Sequence, residues 1–309
     1  MTGARPGLGI ALIVAMAACF SGMDTSVRWL GGAVPLLLLL SVRYAVQAVL
    51  MAAWLALDRR QSFRSTHPRF QALRGALLLA TSAFGFFGLQ FMPVPEFTAI
   101  NMLTPVLVTL LAAGLLKEPV SRWRWALVIG GFAGALIVIR PGSGLFGWAV
   151  LFPLAGACCN AAFQVLTSRL AVLESPYTTH FWTGFTGTAI MLPLLLASPL
   201  DLHAVLAGAP PGPLALVLLI GILGTSGHLM LILAMGMAPT ATLMPFVYTQ
   251  IATAALFGWL VFHHLPDGWG WVGMAVITAC GAASAWLNVR SASAARRPDS
   301  AVCADTIAD

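Results

Sequence analysis

Few side chains in this 309-residue chain could do chemistry, and those that could sit inside apolar runs. Asp24 and Arg28 stand four residues apart in GMDTSVRW, on one face of any helix that contains them. Arg43 lies in LLLLLSVRYAVQAVL, beside Tyr44 and one turn before Gln47. Further along come Gln90 and Asn101, then Asn160 and Gln164 on one helical face, then Trp182, His228, Tyr248 and Gln250. A carboxylate or guanidinium at membrane depth is expensive and turns towards a bundle interior or a cavity. Two readings of Asp24 follow. It pairs with Arg43 or Arg28 and fixes packing, or it titrates as a coupling group while Arg43 holds an anionic part of a substrate. The amides either hydrogen-bond between helices or line a cavity, with Tyr44, Phe163, Trp182 and Phe246 as aromatic walls.

The elements that must position these residues follow from composition. Charged side chains make up 8% of the chain and hydrophobic ones 59%, with a mean hydropathy of +0.90. A soluble domain carries about 25% charged residues, so a soluble enzyme, a coiled coil and a disordered chain are excluded, and the partner is a lipid bilayer. The net charge of +6 does not indicate a nucleic-acid partner, because the bases are few and scattered. Cys19, Cys158, Cys159, Cys280 and Cys303 show no metal-ligand spacing and read as packing thiols. The start of the chain resembles a signal peptide, but the apolar pattern continues to residue 289, so it reads as a first span.

A membrane span needs roughly 20 apolar residues. Cutting at charges, Pro and Gly predicts spans at 8–30, 35–57, 72–92, 97–116 and 123–139, then 146–168, 177–197, 213–236, 240–262 and 269–289. This is an all-α membrane protein of ten helices. The polar tail 291–309 is expected to be disordered and cytoplasmic. With the N-terminus in the cytoplasm, all of the 16 Lys and Arg except Arg28, Arg43 and Arg140 fall on the inside. The positive-inside rule therefore predicts cytoplasmic N- and C-termini in a cell inner membrane.

The two sets of five resemble each other. Glu118 precedes Trp123 and Trp125 at the offsets by which His264 precedes Trp269 and Trp271, and the same register lays Phe91-Met92-Pro93 on Met237-Ala238-Pro239. Five is odd, so the copies, 1–143 and 144–290, lie in the membrane with opposite orientations. The loops agree: 58–74 and 117–124 are basic, whereas their counterparts 198–212 and 263–268 carry no Lys or Arg. Inverted repeats around a central cavity can open it to either side in turn, the build of a secondary transporter.

Residues 89–142 and 234–283 then resemble the drug/metabolite transporter superfamily, in its ten-helix form with two EamA-type domains. The resemblance rests on Pro93, Glu118, Gly130, Gly131, Gly134 and Arg140-Pro141-Gly142, and it covers about 8–290. The second copy departs from it at His264, which stands where an acid is usual. The family implies a basket-like bundle moving small metabolites, among them amino acids, S-adenosylmethionine, riboflavin and sugars. Coupling to protons or to a counter-substrate is a further expectation.

Other classes compete. A channel or exchanger of the same fold would share this composition. Gly224-Thr225-Ser226-Gly227 matches a GxSG string of rhomboid intramembrane proteases, with His228 and His264 as bases, but His228 is too close in sequence to share a face with Ser226. No zinc-protease, phosphate-loop or dinucleotide motif is present, so neither a cofactor nor an enzymatic activity is expected. Glu96 suits a helix N-terminus, Glu118 reads as an ion pair with Lys117 or a helix cap, and His263, His264 and Asp267 read as a solvated loop.

Overall fold

Apolar runs of this length cannot leave backbone groups unpaired in lipid, and they form helices throughout. In the computed structural model the described residues are 6–58, 62–116, 122–140, 143, 146–170, 174–201, 205, 211–237, 243 and 246–295. The helices are α1 (Pro6–Leu30), α2 (Leu36–Leu57), α3 (Pro68–Gly88), α4 (Val94–Asn101), α5 (Thr104–Leu116) and α6 (Arg122–Ile139). A 3-10 turn (Gly147–Val150) leads into α7 (Leu151–Leu170), followed by α8 (Pro176–Ala197), α9 (Pro211–Met237), α10 (Thr249–Phe262) and α11 (Gly268–Ala295). Among the described residues six helices are long and apolar enough to cross a membrane, and shorter apolar helices cover Val94–Val108, Trp125–Ile139 and Thr249–Phe262.

The packing is unchanged when the two halves exchange roles. α1 lies along α9 as α7 lies along α3, α2 meets α9 as α8 meets α3, and α1 meets α10 as α7 meets α5. The pairs α2–α8 and α6–α11 map onto themselves. This is the pseudo-two-fold relation that opposite orientation of the repeats requires.

Several spans differ from their sequence-predicted form. The fourth was expected as one helix over 97–116 but breaks at Met102–Leu103 between α4 and α5. Pro105 is the cause: it has no N–H for the Asn101 carbonyl four residues back, and Thr104 Oγ1 donates to that oxygen instead at 2.7 Å. The ninth breaks at the equivalent place, Tyr248, where Thr249 Oγ1 donates to the Phe246 carbonyl at 2.6 Å. Helix α3 begins at Pro68 rather than 72, with proline at the first helical position where no donor is needed. Arg74, counted in the sequence with the cytoplasmic loop, is therefore inside α3 and buried. Helix α11 runs on to Ala295, beyond the end expected at 289, while residues 296–309 and the Lys117–Glu118 pair lie outside the described residues.

The halves are fastened to each other at both ends of the bundle. At the end bearing the α2–α3 loop, Glu174 from the α7–α8 loop accepts from Ser65 Oγ at 2.6 Å, Thr66 Oγ1 at 3.0 Å, the His67 backbone N–H at 2.9 Å and Gln71 Nε2 at 2.5 Å. At the opposite end Glu96 in α4 meets His264 at 3.0 Å, and Arg140 meets Asp267 at 2.7 Å. The Gly270 N–H, more than Arg140, holds the Asp267 carboxyl below its ordinary value. Burial raises the Glu174 carboxyl, but the hydrogen bonds from Ser65, Gln71, His67 and Thr66 outweigh it and bring it from 4.5 to about 2. The ionised clasp is thus fully formed above pH 4.5 and is lost as pH falls through about 2. Glu174→Gln should speed amide exchange at 62–67 about tenfold at neutral pH, since hydrogen bonds to a charged group are worth about 1.5–3 kcal/mol. Unchanged protection of that loop by mass spectrometry would show that the clasp does not hold it.

Candidate substrate site

A buried polar column runs along the interface between the repeats. Arg43 and Gln47 share one face of α2, at 3% and 2% exposure. The Arg43 guanidinium lies 4.6 Å from the ring centre of Tyr44 and 5.7 Å from that of Phe86, stacking that is worth about 2 kcal/mol when desolvated. Its Nε and Nη1 are buried and make no hydrogen bond. It fits because α9 offers only a glycine here: a Cβ on Gly224 would stand 3.3 Å from Arg43 Nε and 3.1 Å from Met23 Sδ. Asp24 in α1, 7% exposed, is a carboxylate within electrostatic reach of the Arg43 charge. Among the described residues neither forms an ion pair within 4.0 Å.

The column continues on the second repeat. Gln47 Nε2 lies 3.3 Å from His180 Nδ1 and donates to the His180 carbonyl at 3.2 Å. The His180 ring in α8 stacks on His228 of α9, with centres 5.9 Å apart and planes 18° apart, and His228 meets the Phe20 ring edge-on at 4.9 Å. Buried Arg74 closes the column: Nη1 donates to the Thr179 carbonyl at 3.0 Å and Thr183 Oγ1 at 2.5 Å, Nε donates to Thr167 Oγ1 at 2.6 Å, and Phe163 lies under the guanidinium at 4.5 Å.

The sequence-derived candidates divide over this geometry. Asp24, Arg43 and His228 are in the column, and Tyr44 is its aromatic shelf, with its hydroxyl donating to Ser82 Oγ at 2.9 Å while Ser82 donates to the Leu78 carbonyl. Asn101, Asn160, Tyr248 and Gln250 gather instead at the two helix breaks. Asn160 Nδ2 reaches Thr104 Oγ1 at 3.5 Å, Asn101 Oδ1 and the Tyr248 hydroxyl are buried without partners, and the Gln250 carbonyl accepts from Ser21 Oγ of α1 at 3.2 Å. Gln90 is half-buried just past the end of α3. Gln164 is exposed on α7, and Trp182 spends its indole N–H on the Phe63 carbonyl at 3.0 Å, so neither reaches the column.

Arg28 is not the partner of Asp24. It donates to the Leu89 and Met92 carbonyls, where it complements the end of α3, and it lies over Phe262 at 5.4 Å. His264, once a candidate base, faces Glu96, and His228 faces His180 and Phe20, so neither histidine is turned to Ser226. His180 and Arg74 escaped the sequence reading. Arg74 was hidden among loop charges, and His180 by its place near a helix start, although TTH in an apolar span was a signal.

An all-α bundle of membrane spans in two inverted repeats, with a polar column buried between them, is the build of a secondary transporter. The chain belongs to the EamA-like transporter family, whose model matches residues 7–140 and again 147–283. It is similar to a riboflavin transporter of Rhizobium johnstonii (36% identity over 62% of this chain and 61% of that one) and to one of Brucella anthropi (27% over 86% and 94%). An S-adenosylmethionine uptake transporter of Rickettsia bellii is 24% identical over 84% of this chain and 87% of its own. A protein of known crystal structure shares the fold at a TM-score of 0.63, with 21% identity over 92% of this chain and 97% of that one. This chain is accordingly a secondary transporter of small metabolites.

Proposed function

We propose that the chain carries an uncharged, carbonyl-bearing heteroaromatic metabolite, riboflavin or a close analogue, across the inner membrane by alternating access. The repeats 1–143 and 144–290 are the moving halves, both termini are cytoplasmic, and the column around Arg43 is the site. The observation that carries the substrate class is the charge of that column. Arg43 and Arg74 both act electrostatically on buried His180, with Asp24 as the carboxylate nearby. Two guanidinium groups against one carboxylate repel a cation, because charges in a low-dielectric interior are weakly screened. S-adenosylmethionine carries a sulfonium charge; the riboflavin ring is neutral and offers oxygens to the free Arg43 N–H groups. The named riboflavin transporters among the relatives agree with this choice. Asp24 is the coupling group, with proton-driven uptake as its signature.

Proteoliposomes containing the chain should take up riboflavin saturably, with trans-stimulation by internal riboflavin, and a tenfold excess of S-adenosylmethionine should not compete. An inward proton gradient should accelerate the wild type and not Asp24→Asn. Saturable S-adenosylmethionine uptake would overturn the substrate class, and non-saturating flux would make the protein a channel.

A further inference from the structure

Gln47 does more than fill space beside His180. Its amide nitrogen faces two atoms of that residue, the backbone carbonyl at 3.2 Å and ring Nδ1 at 3.3 Å. A carbonyl oxygen only accepts, so the Gln47 side chain must present its NH2 end here, and its orientation is fixed by the backbone. Its second hydrogen then points to Nδ1, which must be the accepting, unprotonated nitrogen. The ring proton is left on Nε2. That nitrogen is buried in a residue 1% exposed, and the backbone carbonyl of Thr225 in α9 is turned to it without completing a hydrogen bond. Arg43 Nε and Nη1 are likewise buried and unpartnered in the same column. Buried polar groups are almost always satisfied, so a set of them left open between the two repeats is a set prepared for a ligand.

We propose that His180 is a specificity-determining residue, whose Nε2–H, presented by Gln47 as the positioning residue, donates to a ring carbonyl of the transported molecule. The inference rests on the substrate reading above for the identity of that molecule, but not for the tautomer. The two faces of the site divide the work. Arg43 reaches in from the first repeat and His180 from the second, so the ligand would bridge both halves and feel their relative movement. The stacked His228 ring backs His180 and holds its plane.

Riboflavin transport into proteoliposomes by His180→Leu, His180→Gln and Gln47→Leu tests this. His180→Leu should raise KM about ten- to a hundredfold with the maximal rate within about threefold, the mark of a lost hydrogen bond to substrate. His180→Gln, which keeps an N–H near the Nε2 position, should stay within about threefold of wild type, and Gln47→Leu should fall between. In wild-type protein carrying 15N-labelled histidine, solid-state NMR should show His180 protonated on Nε2 alone, with that signal moving when riboflavin is added. A protonated Nδ1, an unmoved Nε2 signal, or an unchanged KM in His180→Leu overturns the proposal. If His180→Leu does not fold, the wild-type spectrum decides. Failure of the wild type to carry riboflavin overturns the substrate reading as well, whereas a flat His180 series beside a transport-dead Arg43 variant overturns this inference alone.

Discussion

Replacing Arg43 with leucine should cut riboflavin transport at least about a hundredfold, close to 3 kcal/mol, while leaving the yield of folded protein unharmed. The two outcomes part because of how Arg43 is held. Its guanidinium lies over the Tyr44 and Phe86 rings, and leucine would keep part of that apolar contact. What leucine removes is a buried charge with two nitrogens that bond to nothing. A buried cation without a close partner costs several kcal/mol to hold, so its loss is neutral or favourable to the fold. A residue kept at such a cost serves something other than stability. Arg74 is the contrast: three side-chain and backbone acceptors engage its guanidinium, and its role is to join α3 to α7 and α8. Lysine at 43 should restore only a small part of transport, since a point charge lacks the planar fork that meets two oxygens at once. Transport within threefold of wild type in Arg43→Leu, measured at matched protein density in the vesicles, would remove Arg43 from the site.

The sequence carried the fold because the membrane leaves few alternatives. Apolar length sets the spans, and the unequal distribution of Arg between matching loops reveals the inversion; both depend on residue type alone. The burial of Arg43 inside a span was also legible, since an arginine amid LLLLLSVRYAV has no cheap explanation. What could not be read depends on geometry. Whether Asp24 meets Arg28 or Arg43 turns on a helix end: Leu89 and Met92 offer carbonyls that draw Arg28 away. Trp182 looked like a cavity wall and became a loop anchor because α8 starts close to the Phe63 carbonyl. The helix break at Met102–Leu103 was within reach, through Pro105, but its twin at Tyr248 has no proline after it and emerged only from the fold. His180 and Gln47 define each other across α2 and α8, and no spacing in one segment announces a pair made by two.

Gly187→Ala should lower the stability of the protein by about 3 kcal/mol, the upper part of the range for overpacking a core, or prevent folding altogether. The α2–α8 crossing is built on glycines that let the backbones approach. A Cβ at Gly187 would overlap the edge of the Tyr44 ring, and one at Gly184 would lie 2.7 Å from the Ala48 nitrogen. The Tyr44 ring has nowhere to move. It is fully buried, its hydroxyl is tied to Ser82 on α3, and its other face carries Arg43. The same substitution at Gly7, with no atom within 4 Å of the added carbon, should change stability by less than about 0.5 kcal/mol, so helix propensity is not the cause. Thermal melting of the purified protein in detergent reads both. Tyr44→Ala combined with Gly187→Ala removes the clash and should recover most of the loss, a coupling expected of residues in direct contact. The recovered double variant should still fail to transport riboflavin, because Arg43 has lost its shelf. A double variant as unstable as Gly187→Ala would place the strain elsewhere in the crossing, and a Gly187→Ala melt equal to wild type would mean that α2 and α8 do not meet there.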